Sequence, residues 1–193
     1  RILEVGTAVG FSALLMSECA PEGCRITTIE NYDKRIPIAR ENFRRAGREE
    51  QITLIEGDAA EVMKTLEGPY DFIFMDAAKG QYIHYLPEAL RLLPEGGVLV
   101  SDNVMQDGDV IESRFAVERR NRTIHARMRE YLYELKHNDA LVTSIIPLGD
   151  GVAMSVKRAS GPTDSVAADV NPAECGAAEE IKRQEGTENG KTS

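Results

Sequence analysis

Five short apolar runs, each followed by a stretch with helical spacing, constrain this chain most. The runs are "RILEV", "CRITTIE", "QITLIEG", "YDFIFMD" and "GGVLVSD". They are rich in β-branched residues and alternate little, which marks strands buried on both faces of a sheet. Between them lie "FSALLMSECA", "DKRIPIARENFRRAG", "AAEVMKTLEG" and "YIHYLPEALRLL", with the periodicity of amphipathic helices. Cap chemistry starts the second helix on Asp33 and stops it at Gly47, with Pro37 tolerated near its first turn. Repeated β-α-β units predict an α/β fold: a doubly wound, mostly parallel sheet with right-handed crossovers. Beyond Asp102 the pattern changes. "NVMQDGDVIESRFA" is a polar loop too long for a simple connector. "VERRNRTIHARMREYLYELKHN" reads as one long helix. "ALVTSIIPL" and "GVAMSVKR", joined through "GDG", read as an antiparallel hairpin.

With 193 residues, 42% hydrophobic and 28% charged, the chain has enough material for one domain with a real core. The formal charge of −9 argues against broad, nonspecific nucleic-acid binding but leaves room for a local basic patch. No apolar run reaches the ~18 residues that span a bilayer. The opening "RILEVG" lacks the parts of a secretory leader and reads as a strand. Cys19, Cys24 and Cys175 lack zinc spacing and are odd in number, which fits a reducing cytoplasmic setting. Residues 159–193 lose periodicity and hold almost no large apolar side chains. They read as a disordered acidic tail carrying about −4 of the −9, after a domain of residues 1–158.

"EVGTAVGFS" puts Glu4, Gly6, Gly10 and Ser12 at a strand-to-helix turn. Glycines there let backbone N–H groups approach a ligand, and the helix start favours negative charge. Glu30 ends the second strand, where a carboxylate can take both hydroxyls of a ribose. Nicotinamide cofactors use the same design, so an oxidoreductase is an alternative. Its usual spacing is G-x-G-x-x-G, whereas this turn is G-x-x-x-G. Asp58 and Ala59 follow the third strand. Asp58 suits a helix N-cap, and the pair would lie beside an adenine.

"DAAKGQY" follows the fourth apolar run with a carboxylate, two small residues and a lysine. Asp76 ends the fourth strand, and Asp102 and Asn103 end the fifth. Consecutive β-α-β strands tend to be neighbours, and ligands bind at their carboxyl ends. Two carboxylates and a carboxamide, with no His or Cys, suit a hard cation, Mg²⁺ above all. Lys79 lies one turn beyond Asp76. A cation nearby disfavours its ammonium form and makes it a workable general base. Each residue also has a plain structural reading as a cap, a turn or a solvated lysine. Arg119, Arg120, Arg122, Arg127 and Arg129 crowd one stretch and form a candidate phosphate-binding face. A solvated helix face paired with Glu118 and Glu130 is the plain alternative.

"LEVGTAVGFSA", "TTIE", "EGDA", "FMDAAKGQY" and "VLVSDNV" together resemble the S-adenosylmethionine-dependent, cation-dependent O-methyltransferases of the catechol/caffeoyl-CoA type. Within them, the bacterial tRNA 5-hydroxyuridine methyltransferases look nearest. The resemblance spans about residues 1 to 158 and implies the seven-stranded, Rossmann-like class I methyltransferase sheet. It implies that Glu4, Gly6, Ser12, Glu30, Asp58, Ala59 and Asp76 hold S-adenosylmethionine. It further implies that Asp76, Asp102 and Asn103 hold Mg²⁺, that Lys79 is the catalytic base, and that the enzyme forms a homodimer. The family's helices ahead of the first strand are absent from this sequence, and a binding module without catalysis is the alternative this leaves. The expected substrate offers two adjacent oxygens: 5-hydroxyuridine in tRNA, contacted by Arg119, Arg120 and Arg122, or alternatively a small catechol-like phenol.

Overall fold

The structure, a computed structural model, describes residues 1–113 and 115–159. Cys175 and residues 160–193 of the expected tail lie outside the described residues. Seven strands form one sheet in the order β3-β2-β1-β4-β5-β7-β6. The strands are β1 (Ile2–Val5), β2 (Ile26–Glu30), β3 (Ile52–Glu56), β4 (Phe72–Met75), β5 (Val98–Ser101), β6 (Leu141–Ile146) and β7 (Val152–Lys157). The first five pair in parallel, while β7 pairs antiparallel with both β5 and β6, as the hairpin reading requires. The helices are α1 (Phe11–Cys19), α2 (Ile36–Arg45), α3 (Ala59–Thr65), α4 (Tyr82–Leu92) and α5 (Arg122–His137). No helix among the described residues is long and apolar enough to cross a membrane.

Strand parity sorts the core into two layers. Leu3, Val5, Ile73, Met75 and Leu99 point to one face and pack in the larger cluster with Met63, Tyr85, Leu92 and Tyr131. Ile26 and Ile52 point to the other face, where they meet Ala13 of α1 and Ala39 and Phe43 of α2. The expectation of burial on both faces fails for β4 and β5. Phe72, Phe74, Val98 and Val100 are only half-buried. The helices on their side, α1 and α2, pack over β2 and β3 instead.

Two helix boundaries differ from the sequence reading. Asp33 does not start α2; residues 33–35 form a turn whose Arg35 N–H donates to the Tyr32 carbonyl at 2.8 Å, and the helix begins at Ile36. The long helix expected from Val117 is split. Arg119–Asn121 form a tight 3₁₀ turn, and α5 starts at Arg122, whose Nε donates to the Val117 carbonyl at 3.2 Å.

Candidate functional site

The first turn is fixed by close approach. Gly6 has φ 104, and a Cβ there would lie 2.1 Å from the Asp76 carbonyl oxygen. Only glycine allows the β1–α1 turn to lean on the end of β4. Next to it, Ala8 sits in the left-handed region at φ 47, and its N–H donates to Glu30 Oε2 at 2.7 Å. Glu30 Oε1 accepts from the N–H groups of Asn31 at 3.1 Å and Tyr32 at 3.0 Å. A carboxylate has about four acceptor positions, so roughly one remains, on Oε2. Glu30 therefore braces the turn as well as facing the ligand space.

A cleft of about 680 Å³ opens at this edge. That is the size of a small-molecule or cofactor site. Gly6, Glu30, Ala59, Asp76, Lys79 and Asn103 line it, and Asp102 is not among the lining residues. The alternation missed Ala8, Ile29, Tyr32 and Tyr85, which line it too. "AA" after Asp76 was a usable signal: Ala77 and Ala78 line the cleft and leave room beside it.

Glu4 and Ser12 do not line it. β1 runs on to Val5, so parity turns Glu4 onto the α1 side, where it is fully buried. The Ser12 and Thr28 hydroxyls both donate to its carboxylate. These residues tie α1 to β1 and β2 and act on the ligand turn from beneath. Asp58 is exposed, and its Oδ1 accepts from the Ala60 N–H at 2.8 Å, so the helix-cap reading of that residue is correct.

Burial pushes the Glu4 pKa up to about 7, against the hydrogen bonds from Ser12 and Thr28; the charges of Asp76 and Glu30 push the same way. This value lies above the ordinary 4.5. Between the two the folded chain holds the proton more tightly than the unfolded chain, so stability falls as pH rises. The contribution is complete below the lower value and lost above the upper one, a swing on the order of 3 kcal/mol. Glu4→Gln cannot ionise. Its melting temperature should therefore lose most of the decline that wild type shows between about pH 5 and about pH 8. Equal declines in both proteins would mean that Glu4 folds as a carboxylate.

On the other side of the cleft, β4 and β5 pair with Met75 opposite Ser101. The Asp102 N–H donates to the Met75 carbonyl at 3.0 Å. Asp76 and Asp102 thus leave neighbouring strands, about 4.8 Å apart, at the same level. Asp102 Oδ1 accepts the Asn103 N–H at 2.8 Å. Lys79 Nζ lies 2.7 Å from Asp76 Oδ1, an ammonium in the place where a cation would compensate the two acids. It also donates to the Tyr82 hydroxyl at 3.0 Å. That hydroxyl reaches the carbonyl oxygens of Met75 at 2.9 Å and Asp102 at 3.2 Å. Burial, with the nearby Asp76 charge, raises the Tyr82 pKa far above the ordinary phenol value, so it stays a neutral donor. Tyr82 closes the "DAAKGQY" motif, but its role rests on partners at the ends of two strands, which the motif alone does not show. Among the described residues no three His, Cys, Asp or Glu side chains cluster as a metal site. The oxygen donors here are two carboxylates and the Asn103 carboxamide, a set that fits a hard divalent cation.

The arginines are divided between the 3₁₀ turn and α5. Arg120 pairs with Glu118 at 2.7 Å, and Arg122 is held by the Val117 carbonyl. Arg127 donates to the Gly80 carbonyl at 3.1 Å and Arg129 to that of Val110 at 3.2 Å. Arg119 is exposed, on the 3₁₀ turn rather than the helix.

The O-methyltransferase family model matches residues 1–158 of this chain. The chain belongs to the O-methyltransferase family. A catechol O-methyltransferase of Niastella koreensis is 38% identical over 116 residues, covering 58% of this chain and 52% of the relative. One of Mycobacterium tuberculosis is 37% identical over 112 residues, covering 58% and 51%. The chain thus spans about half the length of these curated relatives. An SAH-bound methyltransferase of Podospora anserina superposes with a TM-score of 0.75 at 31% identity, over 82% of this chain and 72% of that one. Membership removes the nicotinamide alternative, and the seven-stranded methyltransferase sheet is the fold of this O-methyltransferase domain.

Proposed function

We propose that this chain binds S-adenosylmethionine in the cleft and moves its methyl group to one hydroxyl of a small, catechol-like phenol held at a divalent cation, Mg²⁺ by the hardness of its donors. The observation that carries this reading is that Asp76, Lys79 and Asn103 line the cleft while the β4–β5 register sets Asp102 level with Asp76. The sequence put 5-hydroxyuridine in tRNA first. Two things now favour the small phenol: Arg122, Arg127 and Arg129 each donate to a backbone carbonyl and Arg120 pairs with Glu118, and the relatives named above are catechol enzymes.

A cation bound by these oxygens would supply Lewis-acid polarisation, making the chelated hydroxyl easier to ionise. Lys79, in its amine form, accepts that proton at Nζ. Tyr82 holds Nζ in place through its hydroxyl. Glu30 accepts from one of the cofactor's ribose hydroxyls on its remaining acceptor position, and Gly6 lets the ligand lie against the backbone. Ile29 and Tyr85 wall the cleft with apolar surface. Fixing the phenolate oxygen in line with the methyl carbon can contribute ~7–11 kcal/mol of barrier reduction. The O–C bond forms as the S–C bond breaks, leaving a neutral thioether.

The test is methyl transfer from radiolabelled S-adenosylmethionine to catechol and to tRNA lacking the wobble methyl group. Label on catechol, dependent on added Mg²⁺, and none on tRNA is expected. Label on tRNA alone would restore the RNA reading. Label on neither, with the folded chain binding S-adenosylhomocysteine, would leave this chain a binding module.

A further inference from the structure

The "GDG" of Gly149–Gly151 reads from sequence only as hairpin chemistry. In the fold it clamps the loop that carries Asn103. The Met105 N–H donates to the Asp150 carbonyl at 2.8 Å, and the Val104 N–H to the Gly151 carbonyl at 2.9 Å. Gly151 has φ 84, and a Cβ there would lie 2.3 Å from Met105 Cγ, so only glycine permits this approach. Asn103 Nδ2 donates to Asp150 Oδ2 at 3.0 Å. Asn103 itself is in the left-handed region at φ 54. Its backbone is thus pinned by the clamp, and its amide by one carboxylate.

The chemistry of that pair is directional. A carboxamide offers a cation only its oxygen; turned over, it would present an NH₂ group. An ionised Asp150 accepts and cannot donate, so it holds the nitrogen end alone. Oδ1 is then the free end. Asn103 lines the cleft beside Asp76. We propose that Asp150 is a positioning residue for the cation site: it locks the Asn103 carboxamide with its oxygen toward the cation and so sets cation affinity without touching the cation. This rests on the cation reading proposed above. Partners of this kind, one shell out from a metal, typically contribute 10–100-fold in metal affinity.

The probe is Mn²⁺, titrated into the full chain and followed by electron paramagnetic resonance. Asp150→Ala should weaken binding by about 10–100-fold, while affinity for S-adenosylhomocysteine stays unchanged by calorimetry. Asp150→Asn both accepts and donates, so it can hold either end of the Asn103 amide and should recover only part of the loss. In an Asn103→Ala background, Asp150→Ala should cost nothing further, because coupled residues are not additive. That cycle also guards against a weakened turn, since general damage to the hairpin would persist there. Wild-type Mn²⁺ affinity in Asp150→Ala, or additive losses in the double variant, would overturn the proposal. If wild type itself bound no Mn²⁺, the cation reading would fall instead.

Discussion

Asp102→Ala should abolish cation-dependent methyl transfer while S-adenosylhomocysteine still binds with nearly wild-type affinity. Gly6, Ala8 and Glu30 shape one side of the cleft through the β1–α1 turn and the end of β2, and that turn leans on Asp76 rather than on Asp102. Asp102 stands opposite, at the end of β5, level with Asp76 through the β4–β5 register. Losing a direct charged donor should cost more than the ~10–100-fold typical of an outer partner. Alanine also removes the acceptor for the Asn103 N–H, so the loop could loosen. Asp102→Asn keeps an acceptor there and removes the charge. It should melt close to wild type and still lose most Mg²⁺-supported turnover. Undiminished turnover of the wild-type chain in EDTA would sink the cation reading outright.

What could be read beforehand, and what could not, divides along physical lines. Strand succession alone put Asp76 beside Asp102, because β-α-β units usually lay consecutive strands side by side. Lys79 followed from its offset of three residues from Asp76, which the turn after β4 closes into an ion pair. Glu4 sits off the cleft because strand parity, with Leu3 and Val5 in the larger core cluster, turns it onto the α1 face. The split of the expected long helix was not legible either: a helix boundary is the least legible feature of a sequence, and Arg119 and Arg120 fall in a separate turn. The half-burial of Phe72, Phe74, Val98 and Val100 depends on where α1 and α2 lie, which no local pattern encodes. Tyr82 and Asp150 act through partners 20 and 47 residues away, Asp102 and Asn103 respectively, and only the folded chain brings those together.

Lys79→Met should lower turnover of catechol by about 10²–10⁴-fold, the range for a positioned general base. Methionine keeps an unbranched, flexible side chain and removes the amine. Metal affinity should hold or rise in the same variant. In the chain without a cation, the Lys79 ammonium sits 2.7 Å from Asp76 Oδ1, the oxygen a cation would want, so the two positive charges compete. Removing one competitor leaves Asp76 and Asp102 freer to bind the other. A lysine that served only as structural support would behave differently, because its loss would weaken turnover and binding together. Tyr82 keeps its hydrogen bonds to the Met75 and Asp102 carbonyls, so the β4 and β5 ends should stay in register. Substrate acidity gives a second readout. A nitro-substituted catechol ionises without help and needs the base less, so Lys79→Met should spare it relative to catechol. Equal losses on both phenols would show that the amine does not take the proton. Undiminished turnover of catechol by the folded variant would remove Lys79 from the chemistry altogether.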